Sequence, residues 1–210
     1  VWVDRNERKA FWAYIHPDSA SRTQKYGSHH EVSPATRFDI ARCMSHARSG
    51  FQGAKGLHIR RRTSAISTRR SSVKIRYRNI SNVKSPVLGE IELTRLGWRH
   101  MFRSGRRKEN KATSLDIIPY LNRLLSRWPS SHAITESSSF SVNGYTHQIR
   151  EHLLKFNGLT VSLGGEQGKN DYCAHVRIIE EIRYPNDWES AVMLSQQVSR
   201  RVVLKSAYYK

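Results

Sequence analysis

The stretch "DYCAHVRIIEEIRY", from Asp171 to Tyr184, alternates between apolar and polar side chains along most of its length. One face is apolar and consists of Ala174, Val176, Ile178 and Ile182. The other face begins with His175 and Arg177. Since successive side chains of a strand point to opposite faces, this pattern predicts a β-strand that packs on a core through its apolar face.

A second strand is expected just before it, in "THQIREHLLKFNGLTVSL" (146–163). The glycine-rich "GGEQGKN" (164–170) joins the two and predicts a hairpin. The preceding "WPSSHAITESSSFS" (128–141) is rich in serine and is expected to be a loop. These segments predict the antiparallel sheet of the fold.

A helix is expected from Thr94 to about Gly105, with the Thr94 hydroxyl as its cap. At 100° per residue, Trp98, Met101 and Phe102 fall on one side, which predicts that they face the core. His100 points away from Trp98 between two arginines. We therefore expect the His100 side chain to be accessible.

A second helix is expected from Ser114 to Arg127, with a kink or restart at Pro119. Its apolar residues recur at helical spacing and are Leu115, Ile118, Leu121, Leu124 and Leu125. Together, the helices and strands predict an α+β protein in which helices pack on an antiparallel sheet behind a basic N-terminal region.

Three regions are expected along the chain. Residues 1–85 form a basic region with a hairpin at the start, a helix from Ser33, and a strand in which Val73, Ile75 and Tyr77 alternate with cations. Residues 86–185 form the helix-and-sheet domain. Residues 186–210 form a C-terminal helix that begins at Asn186, with Glu189 completing a capping box.

The net charge of +19 predicts a polyanionic partner, RNA or DNA. Residues 55–111 contain 17 lysines and arginines but three acids, so this quarter of the chain holds most of the excess charge. Such a patch is typical of a nucleic-acid interface. Its candidate contacts are Arg60, Arg61, Arg62, Arg69, Arg70, Lys74, Arg76, Arg78, Arg99, Arg106, Arg107 and Lys108.

Two histidine–arginine pairs are candidates for chemistry: His100 with Arg103 on the predicted helix, and His175 with Arg177 on the predicted strand. Metal-free RNA cleavage needs a base for the 2′-hydroxyl proton and an acid for the leaving oxygen, and histidine suits both roles. Arginine stabilises the charge that develops on the phosphate. The alternative is that both histidines are ordinary surface or structural residues.

Other classes of function find little support in the sequence. Cys43 and Cys173 form no CxxC pair, the histidines lack metal-ligand spacing, and no phosphate-binding loop motif is present, so we expect no metal and no cofactor. No apolar run could span a membrane, and we expect neither a signal peptide nor a membrane partner. A cytoplasmic or virion-associated location follows as an expectation.

The segment from Val87 to Tyr184 resembles the nuclease domains of toxins and phages in the barnase–EndoU–colicin–RelE-like group. The similarity lies in "GEIELT", "RLGWRHMFRSG" and "SLDIIPYLNRLL", followed by the closing strands. The resemblance implies a helix packed on an antiparallel sheet and metal-independent ribonuclease activity. By position it makes His100 the helix histidine and puts His175 and Arg177 on the sheet face that meets RNA. A toxin of this kind would also have an acidic inhibitor or immunity protein as a partner.

Two hypotheses therefore remain open. The first is a metal-independent ribonuclease with His100 and His175 as acid and base and with Arg99, Arg103 and Arg177 on the phosphate. The second is a non-catalytic RNA- or DNA-binding assembly component, such as a ribosome-like or virion protein. Its charge patch would bind the nucleic acid, and the histidines would need no catalytic role.

Overall fold

The computed structural model describes residues 2–7, 9–13, 30–48, 56–61, 66–80, 82–163, 169–191 and 193–210. The chain divides into two compact units. The first comprises Val1–Gly50, Ser137–Ile149 and Ile182–Arg200. The second comprises Phe51–Glu136, Arg150–Glu181 and Arg201–Lys210. This division does not coincide with the expected boundaries after residues 85 and 185.

The first unit begins with the expected hairpin, in which β1 (Trp2–Asp4) pairs antiparallel with β2 (Lys9–Phe11). The expected helix follows as α1 (Thr36–Arg48). Two of its apolar side chains are exposed, Ile40 to 44 % and Met44 to 53 %.

The sheet has five strands. Four of them, β3 (Leu57–Arg61), β7 (Tyr145–Leu163), β8 (Lys169–Pro185) and β9 (Ser199–Tyr209), lie side by side in that order, and β6 (Ser131–Val142) also pairs with β7. Because β3 runs parallel to β7, the sheet is mixed rather than purely antiparallel. The α+β class is confirmed, and the apolar face of β8 is buried as predicted, including Ala174 and Val176.

The helices cover one face of this sheet in the second unit. Here α2 (Ile66–Asn79) precedes a hairpin of β4 (Val83–Ser85) and β5 (Gly89–Ile91), and α3 (Arg95–Met101) follows it. Next come α4 (Lys108–Ile117), a 3₁₀ turn that contains Pro119, and α5 (Leu121–Leu125). The five apolar residues predicted for this last stretch are all buried: Leu115, Ile118, Leu121, Leu124 and Leu125. No described helix is long and apolar enough to cross a membrane.

Helix α3 forms where it was expected but ends at Met101, before the expected end near Gly105. The Thr94 hydroxyl accepts a hydrogen bond from the Gly97 backbone N–H at 3.4 Å and caps the helix. Trp98, Met101 and Phe102 are buried, and Trp98 packs on Phe102 with ring centroids 4.3 Å apart. The core therefore contacts the side of the helix that the sequence periodicity predicted to be buried.

The predicted strand at residues 73–77 is wrong, because this segment belongs to α2. Val73 and Tyr77 are buried, as is Arg69, and these three positions are four residues apart. Ile75, which the strand pattern grouped with Val73 and Tyr77, is 61 % exposed. A four-residue spacing of buried side chains is the signature of one helix face, so packing selects the helix.

Two further expectations are wrong. The serine-rich loop at 128–141 is largely the strand β6, and the C-terminal helix expected from Asn186 is replaced by a single turn, α6 (Leu194–Gln197), and by β9. In β9, Val202 and Leu204 are buried on alternate positions. Cys173 and Lys210 exchange two backbone hydrogen bonds, as antiparallel neighbours do, so sheet pairing outweighs the local capping signal.

Gly97 lies where α3 crosses β9, and there is no room for a side chain. A Cβ atom on Gly97 would collide with the backbone carbonyl oxygen of Leu204 and lie 2.9 Å from the Tyr77 hydroxyl. We expect Gly97→Ala to lower the free energy of unfolding by about 1–3 kcal/mol, because a backbone oxygen cannot move aside as a flexible side chain can. Urea unfolding measures this.

Gly105→Ala is the matched control, since a Cβ there meets nothing within 4 Å. It should leave the unfolding midpoint nearly unchanged. Equal stability of the two variants would contradict the close approach of α3 to β9.

Candidate nucleic-acid interface

Two rows of cations face each other across a groove in the second unit. Arg70, Lys74 and Arg78 lie on α2, at intervals of four residues. Arg95 and Arg99 lie on α3, and Arg103 continues their four-residue spacing in the turn that follows it. We call the space lined by these six side chains the cationic groove. Its volume is about 1050 Å³, and no acidic residue from the described parts of the chain lines it.

The cations of the groove are exposed, whereas its aromatic residues are not. All six arginine and lysine side chains are exposed, but Tyr77, Trp98 and Phe102 are buried to more than nine-tenths. None of the six cations forms an ion pair within the described parts of the chain. The groove therefore presents uncompensated positive charge and offers no open aromatic face for stacking.

A second group of charges lies on the polar face of the sheet. The buried carboxylate of Glu151 accepts hydrogen bonds from Arg177 and Lys205. These donors lower the pKa of Glu151 by more than burial raises it, so the carboxylate is ionised. We call Glu151, Arg177 and Lys205 the Glu151 cluster.

His100 lines the cationic groove and is also sensitive to the Glu151 cluster. Burial lowers the pKa of His100, the charges of Arg103, Lys205 and Arg106 lower it further, and Glu151 opposes them. The imidazole is therefore mainly neutral at pH 7. The predicted accessibility is borne out only in part, since the side chain is half-buried.

His175 is buried beside the same cluster. Its ring stacks on Tyr208 with centroids 5.3 Å apart, and the guanidinium of Arg106 lies 5.2 Å from the centre of the Tyr208 ring. Burial lowers the pKa of His175, and Lys210, Lys155 and Arg177 lower it further. No hydrogen bond or ring contact joins His175 to His100 among the described residues, so the two histidines border the cluster without touching each other.

The other predicted nucleic-acid contacts differ in exposure and in position. Arg107 and Lys108 are exposed at the start of α4, whereas Arg69 is buried and paired with Asp116. Arg61 also approaches Asp116, at 3.5 Å. Arg60 and Arg76 lie apart from the groove, and Arg62 lies outside the described residues.

Sequence reasoning missed a histidine pair in the second unit, of which His152 is buried. His132 Nε2 lies 2.9 Å from His152 Nδ1, and His152 Nε2 lies 3.0 Å from a carboxylate oxygen of Glu180. Arg150 lies 4.0 Å from the same carboxylate, and Arg150, His152 and Glu180 are almost fully buried. The pairing arises from strand register, and His132 belongs to the segment that was expected to be a loop. His152 and Arg150 thus both approach the Glu180 carboxyl group.

Within the described residues, no group of three or more His, Cys, Asp or Glu side chains is arranged to hold a metal ion. No protein-family model, curated protein or solved structure matches this chain. The resemblance to the toxin and phage nuclease group therefore stays a prediction, and the function must be argued from the geometry of the chain itself.

Proposed function

We propose that this chain binds nucleic acid by its phosphate backbone in the cationic groove. The two facing rows of cations at four-residue spacing carry the proposal. Like charges four residues apart destabilise a helix, so the spacing of these rows does not favour folding. Arg70 also packs on an aromatic residue, with its guanidinium 5.5 Å from the centre of the Phe102 ring. A polyanion compensates both rows at once and releases its counterions.

Recognition by this groove is independent of base sequence. Arginine and lysine contact phosphate oxygens, which carry no sequence information. The groove's aromatic rings are buried, so unstacked bases find no platform beside the cations. Other cations, including Arg69, Arg177 and Arg201, are paired with carboxylates, whereas the six cations of the groove form no ion pair among the described residues.

The direct test is the binding of labelled RNA and DNA oligonucleotides of mixed sequence, followed by fluorescence anisotropy as the salt concentration increases. The expected plot of log affinity against log salt is linear, with a slope that reflects up to six phosphate contacts, about −4 for single strands. Absence of binding at low salt, or affinity that is insensitive to salt, would contradict the proposal.

Metal-independent RNA cleavage is the second candidate function, and the position of His100 favours it. The imidazole lines the groove and interacts electrostatically with Glu151, Lys205 and Arg103. In its neutral form, His100 is suited to accept the 2′-hydroxyl proton, while Arg99 and Arg103, which line the groove with it, stabilise the phosphate charge. His175, the other histidine of the predicted pair, is buried and does not line the groove.

If this candidate is right, total RNA incubated with the protein in EDTA is cleaved, and His100→Ala lowers the rate by a factor of about 10²–10⁴. His58→Ala is the control, since the exposed His58 bonds to Ser162 away from the groove. Because Arg103 lowers the pKa of His100, Arg103→Ala moves the acid limb of the rate profile to higher pH. RNA that is bound but stays intact would leave the binding function alone.

A further inference from the structure

The opposite side of α2 borders a second, smaller cavity. Arg69, Ser72, Val73 and Arg76 of α2 line it, together with Arg60 and Tyr120. At 100° per residue, the mean direction of these α2 side chains around the helix axis differs by about 130° from that of the α2 side chains that line the cationic groove. The helix therefore separates the two sites. We call this second cavity the arginine pocket.

Arg69 is held in place for binding. One of its terminal nitrogens donates to the buried carboxylate of Asp116, and its side chain is 7 % exposed. Its other guanidinium nitrogens have no hydrogen-bond partner among the described residues, and the residue lines the pocket. A guanidinium fixed on one edge and free on the other is preorganised to bind an oxyanion.

The carboxylate of Asp116 does not repel such an anion strongly. Its two oxygens are taken up by Arg69 and by the Tyr209 hydroxyl, which donates at 3.0 Å. Arg61 lies 3.5 Å away and adds a further positive charge. Burial also raises the pKa of Asp116, and these partners offset that rise only in part. The carboxyl group is therefore protonated more readily than an exposed one.

Further donors surround the free edge of Arg69. Arg60 and Arg76 are exposed and border the pocket. The Tyr120 oxygen accepts a hydrogen bond from the Arg60 backbone N–H at 3.2 Å, so its own proton is available to a ligand. With three arginines against one compensated carboxylate, the pocket selects an anion.

The size of the cavity limits that anion to a small one. Its volume is about 170 Å³. This is about a sixth of the volume of the cationic groove, so the cavity suits a single phosphate group better than a length of strand. We propose that the arginine pocket is a separate site for a phosphate monoester, supplied by the end of a nucleic-acid strand or by a free mononucleotide.

Calorimetric titration of the full chain tests this proposal. The titrants are one trinucleotide with a 5′-phosphate, a 3′-phosphate or neither, and a 5′-mononucleotide. We expect a terminal phosphate to increase affinity about tenfold or more, as one charge-assisted contact does. If the mononucleotide binds with an affinity similar to that of the phosphorylated trinucleotide, the phosphate ligand is a free nucleotide. If only the phosphorylated trinucleotide binds, the phosphate ligand is the end of a strand.

Two variants separate the pocket from the groove. Arg76 and Arg78 are exposed arginines two residues apart on α2. Arg76 lines the arginine pocket, and Arg78 lines the cationic groove. Arg76→Ala should abolish the preference for phosphate, whereas Arg78→Ala should weaken all three trinucleotides equally and keep the preference. Equal affinity with and without the phosphate, or a preference that survives Arg76→Ala, overturns the pocket while leaving the groove untouched.

Discussion

Replacing Arg70, Lys74 and Arg78 together by alanine lowers the affinity for nucleic acid about 100-fold at physiological salt and makes the salt slope shallower by about two to three. Each side chain neutralises one phosphate in the proposed groove, and each lost contact removes one released counterion. Fluorescence anisotropy at several salt concentrations gives both quantities from the same samples.

The triple variant should stay folded. Alanine is a better helix former than arginine or lysine, and the change removes two like-charged pairs at four-residue spacing from α2. The loss of affinity can therefore be separated from a loss of structure by circular dichroism and by the unfolding midpoint.

The control variant removes the same charge elsewhere in the second unit. Lys84, Arg123 and Lys155 are exposed and do not line the groove. Their replacement by alanine lowers the net charge equally but should weaken binding much less than the groove variant. Equal losses in the two variants would mean that affinity follows net charge alone, and the groove would have no special role.

The sequence predicted the elements whose local signals agree with their packing. Helix α3 has a capping hydroxyl at Thr94 and a single apolar side at Trp98 and Met101. Strand β8 alternates without interruption from Ala174 to Ile178. In both cases the face that the sequence marks as apolar is the face that the core buries.

Helix α2 and strand β9 were missed because tertiary packing overrides their local patterns. Val73, Ile75 and Tyr77 satisfy a two-residue period, and only the 61 % exposure of Ile75 reveals the helix. In β9, the buried neighbours Ser206 and Ala207 interrupt the alternation that would have identified a strand. A propensity signal is weak wherever long-range contacts decide.

The candidate site was predicted in part for the same reason. The sequence named four of the six groove cations as nucleic-acid contacts and gave Arg103 a catalytic role, but the strand assignment concealed the four-residue row on α2. Arg95 was not named, although its spacing from Arg99 and Arg103 would have indicated it. Glu151 and Lys205 lie 54 residues apart in the chain, and only the order of the strands brings them together.

Asp116→Ala should cause a large loss of stability, about 3–5 kcal/mol in the free energy of unfolding. The change leaves the buried guanidinium of Arg69 without a compensating charge and deprives the Tyr209 hydroxyl of its acceptor. This carboxylate joins α2, α4 and β9 in one contact, so its loss affects three elements at once. Urea unfolding monitored by tryptophan fluorescence gives the free energy.

Two further variants show whether burial is the cause. Glu92→Ala breaks an exposed ion pair with Arg201, whose side chains are 36 % and 57 % exposed, and should cost at most about 1 kcal/mol. Asp116→Asn keeps a hydrogen-bond acceptor and should fall between the two alanine variants. If Asp116→Ala cost no more than Glu92→Ala, Arg69 could not be buried against Asp116. The contact that holds Arg69 in the arginine pocket would then be absent, because an exposed guanidinium is solvated by water and needs no carboxylate partner.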